Sequence, residues 1–206
     1  MLDRRVQTMK DLLLKPLEYL YIEWAIDDLN GKNRKPIFDW YLPIVCSSLV
    51  TIFFYFTYSE SLSQFKIFFE SKGFEVLGNF ILTLPGFLFA ALTAVVSFGN
   101  KELDITAKVN PPINKDGHEI SRRRYLSNAF SYLTFLSLVL LITTVFINYA
   151  YSSNILNFGI TYYKWGYLLT SLIYFTFVFQ MLFILIITLY YIGDKVHQPS
   201  HYPKDK

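Results

Sequence analysis

Long stretches without any Asp, Glu, Lys or Arg dominate this sequence. Four of them are 20, 25, 39 and 29 residues long, and they cover residues 40–59, 76–100, 125–163 and 165–193. The hydrocarbon core of a bilayer is about 30 Å thick and takes about 20 helical residues to cross. Each stretch is therefore long enough to form a transmembrane helix.

The third stretch is too long for one span, and its second half contains the turn-forming residues Ser152, Ser153 and Asn154. Its helix should therefore end near Tyr151. The sequence predicts an all-α membrane protein, a four-helix transmembrane bundle with spans at about 40–58, 77–98, 125–151 and 167–192.

The composition agrees with a membrane protein. Of the 206 residues, 53% are hydrophobic and 19% aromatic, which is more than most soluble domains carry. Soluble core helices also keep a polar face, which these stretches mostly lack. Aromatic side chains recur at the predicted ends of the spans, as with Trp40, Tyr58, Tyr151, Trp165 and Tyr191.

Lys and Arg are distributed unequally between the segments that join the spans. Residues 1–39, 99–124 and 193–206 carry 7, 6 and 3 of them, against 2 in 59–76 and 1 in 152–165. Basic residues near span ends are retained in the cytoplasm. We expect three cytoplasmic parts: an N-terminal segment (1–39), a middle loop (99–124) and a C-terminal tail (193–206), with residues 40–192 as the membrane domain.

The N-terminal segment contains a predicted amphipathic helix at 16–30. Pro16 suits a first helical position and Gly31 a C-terminal cap. Its apolar face includes Leu17, Leu20, Tyr21, Trp24 and Ala25, extended by Ile22, Ile26 and Leu29. Its acidic residues, Glu18, Glu23, Asp27 and Asp28, oppose adsorption to anionic lipid.

We therefore expect this face to pack against protein, which is either the chain's own middle loop, the ends of the spans or a docked partner. For a partner, the candidate docking residues are Leu20, Glu23, Trp24 and Asp27.

The middle loop contains two strong turn signals, at 110–112 and 114–117, and should fold back on itself. It ends in Arg122, Arg123 and Arg124, directly before the third span. We interpret these as a basic anchor on the cytoplasmic side that meets lipid phosphates, with pairing to Glu23 or Asp27 as a further option.

The second span has small residues at every fourth position, Gly86, Ala90 and Ala94. Small side chains let helix backbones approach closely, which is a main source of helix association in membranes. The stripe predicts a close helix contact, either within one bundle or between subunits of an oligomer.

Several kinds of chemistry lack their usual sequence signals. There is no zinc-protease, phosphate-loop or serine-elbow motif, and Pro199 disfavours the helix that would place His197 and His201 together. The lone cysteine, Cys46, excludes an intramolecular disulfide. The spans contain no ionisable residue at depth, where coupled transporters place one; Gln180 is expected to form an interhelical hydrogen bond. We expect no enzyme and no cofactor.

Two blocks of the sequence resemble a known family. They run from Leu84-Pro85-Gly86-Phe87 to Phe98-Gly99-Asn100, and from Ser121-Arg122-Arg123-Arg124-Tyr125-Leu126 into Phe130-Ser131-Tyr132-Leu133. The chain is similar there to the KwaA family, the four-span membrane subunits of Kiwa anti-phage systems.

The resemblance implies an oligomer, a tetramer, in the bacterial inner membrane that senses phage attachment or injection. It also implies a soluble cytoplasmic partner, KwaB, that binds DNA, so that this chain contacts lipid and protein but not nucleic acid.

Two other functions fit the same sequence. The chain is alternatively a pore or holin-like effector that depolarises the cell, for which the third span offers the polar residues Asn128, Ser131, Thr134 and Ser137. A further alternative is an accessory subunit of a transporter or signalling complex.

Overall fold

The computed structural model describes residues 15–24, 35–59, 68–97, 99, 103–107, 111–153 and 160–195. Of these residues, 85% are helical. Four helices are long and apolar enough to cross a membrane, namely α1 (Leu42–Ser59), α2 (Lys72–Ser97), α3 (Arg122–Ser152) and α4 (Ile160–Lys195). The predicted fold class is therefore confirmed, and the chain is a multi-pass membrane protein.

The four spans lie where the sequence predicts them, and the helices extend beyond the apolar stretches. α3 ends at Ser152, next to the predicted end at Tyr151. α4 begins at Ile160, seven residues before the predicted start at 167, and α2 begins at Lys72 rather than 77. A π-helical turn, Ile37–Tyr41, leads directly into α1. Helix formation thus continues through polar flanks that hydropathy alone excludes from a span.

The chain divides into two compact units. One of them, unit 2, comprises Ile37–Phe87 and Leu136–Phe183. Its core is aromatic: the Phe69 ring lies 5.1 Å from that of Phe74, 5.5 Å from that of Tyr167 and 6.1 Å from that of Tyr174. These rings meet edge to face, the arrangement that aromatic quadrupoles favour.

Two hydroxyl pairs connect helices within unit 2. The Ser47 and Thr176 hydroxyls lie 2.8 Å apart between α1 and α4, and the Thr144 and Tyr174 hydroxyls lie 2.9 Å apart between α3 and α4. Gln180, the predicted interhelical bond, is fully buried but its amide atoms have no hydrogen-bond partner among the described residues. That prediction is wrong, and smaller hydroxyl side chains form the interhelical bonds instead.

Unit 1 comprises Met1–Pro36, Leu88–Phe135 and Ile184–Lys206. Its described part contains a 3-10 helix, Lys15–Tyr21, and two short strands, β1 (Glu23–Trp24) and β2 (Pro112–Ile113). The strands pair antiparallel, with Glu23 opposite Ile113 and Trp24 opposite Pro112.

The middle loop folds back on itself, as predicted. The Asn114 amide donates to the His118 carbonyl, the Gly117 amide to the Asn114 carbonyl, and the Ile120 amide to the Pro112 carbonyl. Gly117 has a φ of 79°, in the left-handed region that glycine tolerates best. Residues 114–117 therefore form the tight turn of a hairpin, where the sequence signal predicts one.

The predicted α-helix at 16–30 is wrong beyond its first turns. The helical part is a 3-10 helix that ends at Tyr21, and Glu23–Trp24 form a strand because β2 supplies backbone partners. Residues 25–30 lie outside the described part of the chain. As a consequence, the buried residues of this segment are Tyr19 and Ile22, while Tyr21, assigned to the apolar face, is 62% exposed.

Candidate functional site

The most distinctive structure outside the apolar windows is a group of packed loop segments in unit 1, which we name the loop cluster. It consists of residues 15–24, 103–107 and 111–121 together with the first turns of α3. It contains most of the residues that the sequence singled out as functional candidates.

Tyr19 lies at the centre of the loop cluster and is fully buried. Its ring stacks on that of Tyr132 at 5.4 Å and lies 6.2 Å from the ring of Tyr125. The Lys35 ammonium lies 4.2 Å from the centre of the Tyr19 ring and donates to the Tyr19 carbonyl at 2.8 Å. The 3-10 helix is thus held against α3 by aromatic contacts, while Lys35, which precedes α1, adds a cation–π contact to the same ring.

A second aromatic contact connects α3 to α4 within unit 1. The ring centres of Tyr125 and Tyr191 lie 4.5 Å apart, and both side chains are buried. Because Tyr125 also contacts Tyr19, the 3-10 helix, α3 and α4 are joined by a continuous row of rings. A relative movement of α3 and α4 would therefore disturb the packing of the 3-10 helix.

Arg123 connects the start of α3 to the end of α2. Its guanidinium forms an ion pair with Asp104, with Nε 2.7 Å from Oδ1, and its Nη1 donates to the Val96 carbonyl at 3.1 Å and, more weakly, to the Val95 carbonyl at 3.5 Å. The last carbonyls of a helix lack partners within the helix, and a basic side chain there also interacts favourably with the helix dipole. Arg123 is therefore a C-terminal cap for α2.

The three arginines have different surroundings. Arg122 is 1% exposed, Arg123 is half-buried in its ion pair, and Arg124 is exposed. Successive helical residues are rotated by about 100°, so three adjacent side chains cannot share one face. Glu23 forms no ion pair with any of them among the described residues, and Asp27 lies outside that part of the chain. The three therefore do not form one exposed surface, and their role as a basic anchor on the cytoplasmic side stays a prediction.

The predicted docking residues also differ among themselves. Leu20 and Trp24 are half-buried, and Glu23 is exposed. Trp24 lies on β1 opposite Pro112, so the chain's own middle loop covers part of the predicted apolar face. Of the alternatives left open by the sequence, the structure contains two, packing on the middle loop through Trp24 and packing on the start of α3 through Tyr19, and docking of a partner stays a prediction.

Two of the three small residues of α2 lie on the exposed side of this helix. Gly86 and Ala90 are exposed and Ala94 is half-buried. A Cβ added to Gly86 would meet no atom within 4 Å, whereas one added to Gly78 would lie 3.3 Å from the Thr144 methyl carbon. The close helix contact inside the bundle is therefore made at Gly78, and the stripe at 86–94 faces away from it.

Sequence reasoning missed the roles of Tyr19 and Asp104 in the loop cluster and of Lys35 and Tyr191, which contact its residues. Tyr19 and Lys35 are 16 positions apart, and Asp104 and Arg123 are 19 apart. Neither pair follows a local helical or strand period that could reveal it. The one available signal was that the loop carries four acidic residues, Asp104 among them, that could pair with its six basic ones.

Within the described residues, no group of three or more His, Cys, Asp and Glu side chains is placed to hold a metal ion. No protein family, no curated protein and no solved structure matches the chain.

Proposed function

We propose that the chain is a non-enzymatic, oligomeric membrane scaffold and sensor that anchors and regulates a soluble cytoplasmic DNA-binding effector, of the KwaB kind, in a bacterial anti-phage system. The observation that carries the proposal is the row of rings from Tyr19 through Tyr125 to Tyr191. Through this row, the folded surface of the loop cluster is connected directly to two of the spans, α3 and α4.

The orientation follows from the basic residues. The segments 1–39, 99–124 and 193–206 carry 16 Lys and Arg against 3 in the other two segments. On this proposal the loop cluster faces the cytoplasm, where a soluble effector is available, and the membrane is the bacterial inner membrane. Tyr21 and Glu23 are both exposed on the cluster and form the proposed docking point.

The oligomer is proposed to form through α2. Only 17% of the apolar window of α2 is buried, against 39% in α3 and α4. Gly86 and Ala90 are exposed on this helix, so a neighbouring backbone can approach there more closely than elsewhere. The proposed assembly is a tetramer, as the resemblance to the KwaA family implies.

The pore is the weaker candidate, because the threonine hydroxyls along α3 already donate hydrogen bonds to carbonyls of their own helix. Thr134 donates to the Phe130 carbonyl, Thr143 to the Val139 carbonyl and Thr144 to the Leu140 carbonyl. Ser137 is fully buried. Hydroxyls bonded to their own helix offer little to hydrate a water-filled channel.

A phage-plating assay tests the proposal. The chain is expressed in a sensitive bacterium alone, together with the product of the adjacent gene, and with neither, while a potential-sensitive dye reports the membrane potential. We expect protection only when both proteins are present, without depolarisation by the chain alone. Depolarisation and protection by the chain alone would favour the pore and refute the scaffold.

A further inference from the structure

Arg122 carries a buried positive charge that has no anionic partner among the described residues. Its side chain is 1% exposed, and the Nε and Nη1 donors are buried without a hydrogen-bond acceptor among the described residues. A guanidinium stays protonated in proteins and offers only donors. A charged group that is removed from water without a partner is strongly unfavourable. Within the described part of the chain, Arg122 therefore lacks the negatively charged acceptor that its buried position requires.

A second buried polar group accompanies it. Tyr191 is 5% exposed, its hydroxyl has no hydrogen-bond partner among the described residues, and the charge of Arg122 acts on it. The two are placed together because Tyr191 packs on Tyr125, which follows Arg122 by one helical turn in α3. Two elements thus contribute unsatisfied donors to one place.

Unit 1 contains a further unsatisfied donor at Trp24. Its indole Nε1 is buried and lacks a partner in the described part of the chain, and an indole can only donate. Arg122 and Tyr191 are the two unsatisfied groups that the structure brings together, and an acceptor with several oxygens would satisfy both.

We propose that Arg122 and Tyr191 bind a phosphate group. The planar fork of a guanidinium matches two phosphate oxygens, and a tetrahedral phosphate has further oxygens for the Tyr191 hydroxyl. Arg122 is also the first residue of the candidate span in α3, and the ends of a transmembrane helix are where phospholipid headgroups are found. The phosphate comes either from a lipid headgroup or from a soluble phosphate compound. Because Arg122 is enclosed, entry requires the loop cluster to open.

Thermal unfolding of the full chain in detergent tests this site with three probes at constant ionic strength. They are phosphatidylglycerol, diacylglycerol with the same acyl chains, which lacks the phosphate, and inorganic phosphate. A ligand that binds only the folded state raises the unfolding temperature. We expect phosphatidylglycerol to stabilise the protein and diacylglycerol not to do so. Stabilisation by inorganic phosphate as well would assign the site to soluble phosphates. Stabilisation by neither phosphate probe, or equally by diacylglycerol, overturns the proposal.

Variants separate this site from general attraction of anions. Arg122→Gln should weaken phosphate binding by about tenfold or more, since hydrogen bonds to a charged group are lost. Arg124→Gln removes the same charge from an exposed position and should leave the affinity unchanged. Equal losses in both variants overturn the proposal. Should Arg122→Gln not fold, Tyr191→Phe keeps the ring against Tyr125 and removes only the hydroxyl. A weakened affinity then supports the site, and an unchanged one refutes it.

Discussion

Residue identity alone does not determine what a side chain does in this protein. Arg122, Arg123 and Arg124 are adjacent and identical, yet one is buried, one caps α2 beside Asp104, and one is exposed. The helical rotation of about 100° per residue makes some difference between them predictable. The environment of each arginine depends on contacts with residues 19 or more positions away. The sequence does not show those contacts.

Gly117 offers a test of the hairpin at the residue scale. Its φ of 79° disfavours any side chain, although a Cβ there would meet nothing within 4 Å. Gly117→Ala should therefore destabilise the protein by about 1 kcal/mol through backbone conformation alone. Denaturant unfolding in detergent measures the loss. Gly99→Ala is the matched control, because its added Cβ also meets nothing and no left-handed φ is involved. Equal stability of the two variants would contradict the strained turn.

At the scale of elements, the spans were predictable and the N-terminal segment was not. Each span is determined by its own apolar length, which the bilayer requires regardless of the rest of the chain. The hairpin at 114–117 was predictable for a similar reason, since its turn chemistry is local. Glu23–Trp24 instead became a strand because β2, almost 90 positions later, offers backbone hydrogen bonds. A helical pattern of apolar residues cannot reveal that competition.

The packing of Tyr19 tests whether the 3-10 helix is held on α3. Tyr19→Ala removes a fully buried ring from its contacts with Tyr125 and Tyr132, and such a truncation costs about 3 kcal/mol or more. We expect faster hydrogen exchange over residues 15–24 with the spans unaffected. Tyr21→Ala, which truncates an exposed ring of the same helix, should leave the exchange unchanged. Similar exchange in both variants would contradict the central position of Tyr19.

The small residues of α2 test the proposed oligomer. Ala90→Leu adds bulk at an exposed position between Gly86 and Ala94, separates neighbouring backbones and should shift the solubilised protein to a smaller species. Light scattering coupled to size exclusion measures the mass. Phe89→Trp, an enlargement at another exposed position about 100° around the same helix from Ala90, should preserve it. An unchanged mass with Ala90→Leu would remove this stripe from the interface.

At the scale of the whole molecule, the orientation in the membrane remains a prediction from 16 against 3 basic residues. With Cys46 replaced by Ala, single cysteines at the exposed positions Glu70 and Ser153 should react with an impermeant thiol reagent on intact cells. A cysteine at the exposed position Asp116 should react only after lysis. The reverse pattern would invert the orientation and place the loop cluster outside the cell.

The central claim is that the loop cluster docks a soluble effector, and co-purification with the adjacent gene's product measures this most directly. The affinity-tagged chain is isolated from membranes as wild type, as Tyr21→Ser with Glu23→Gln, and as the control Glu70→Gln. Both altered acids are exposed, but Glu70 lies on the side predicted to be external. We predict that the partner is retained by wild type and control and lost from the double variant, with membrane insertion intact. Equal retention by all three proteins, or no partner bound to wild type, would contradict the claim.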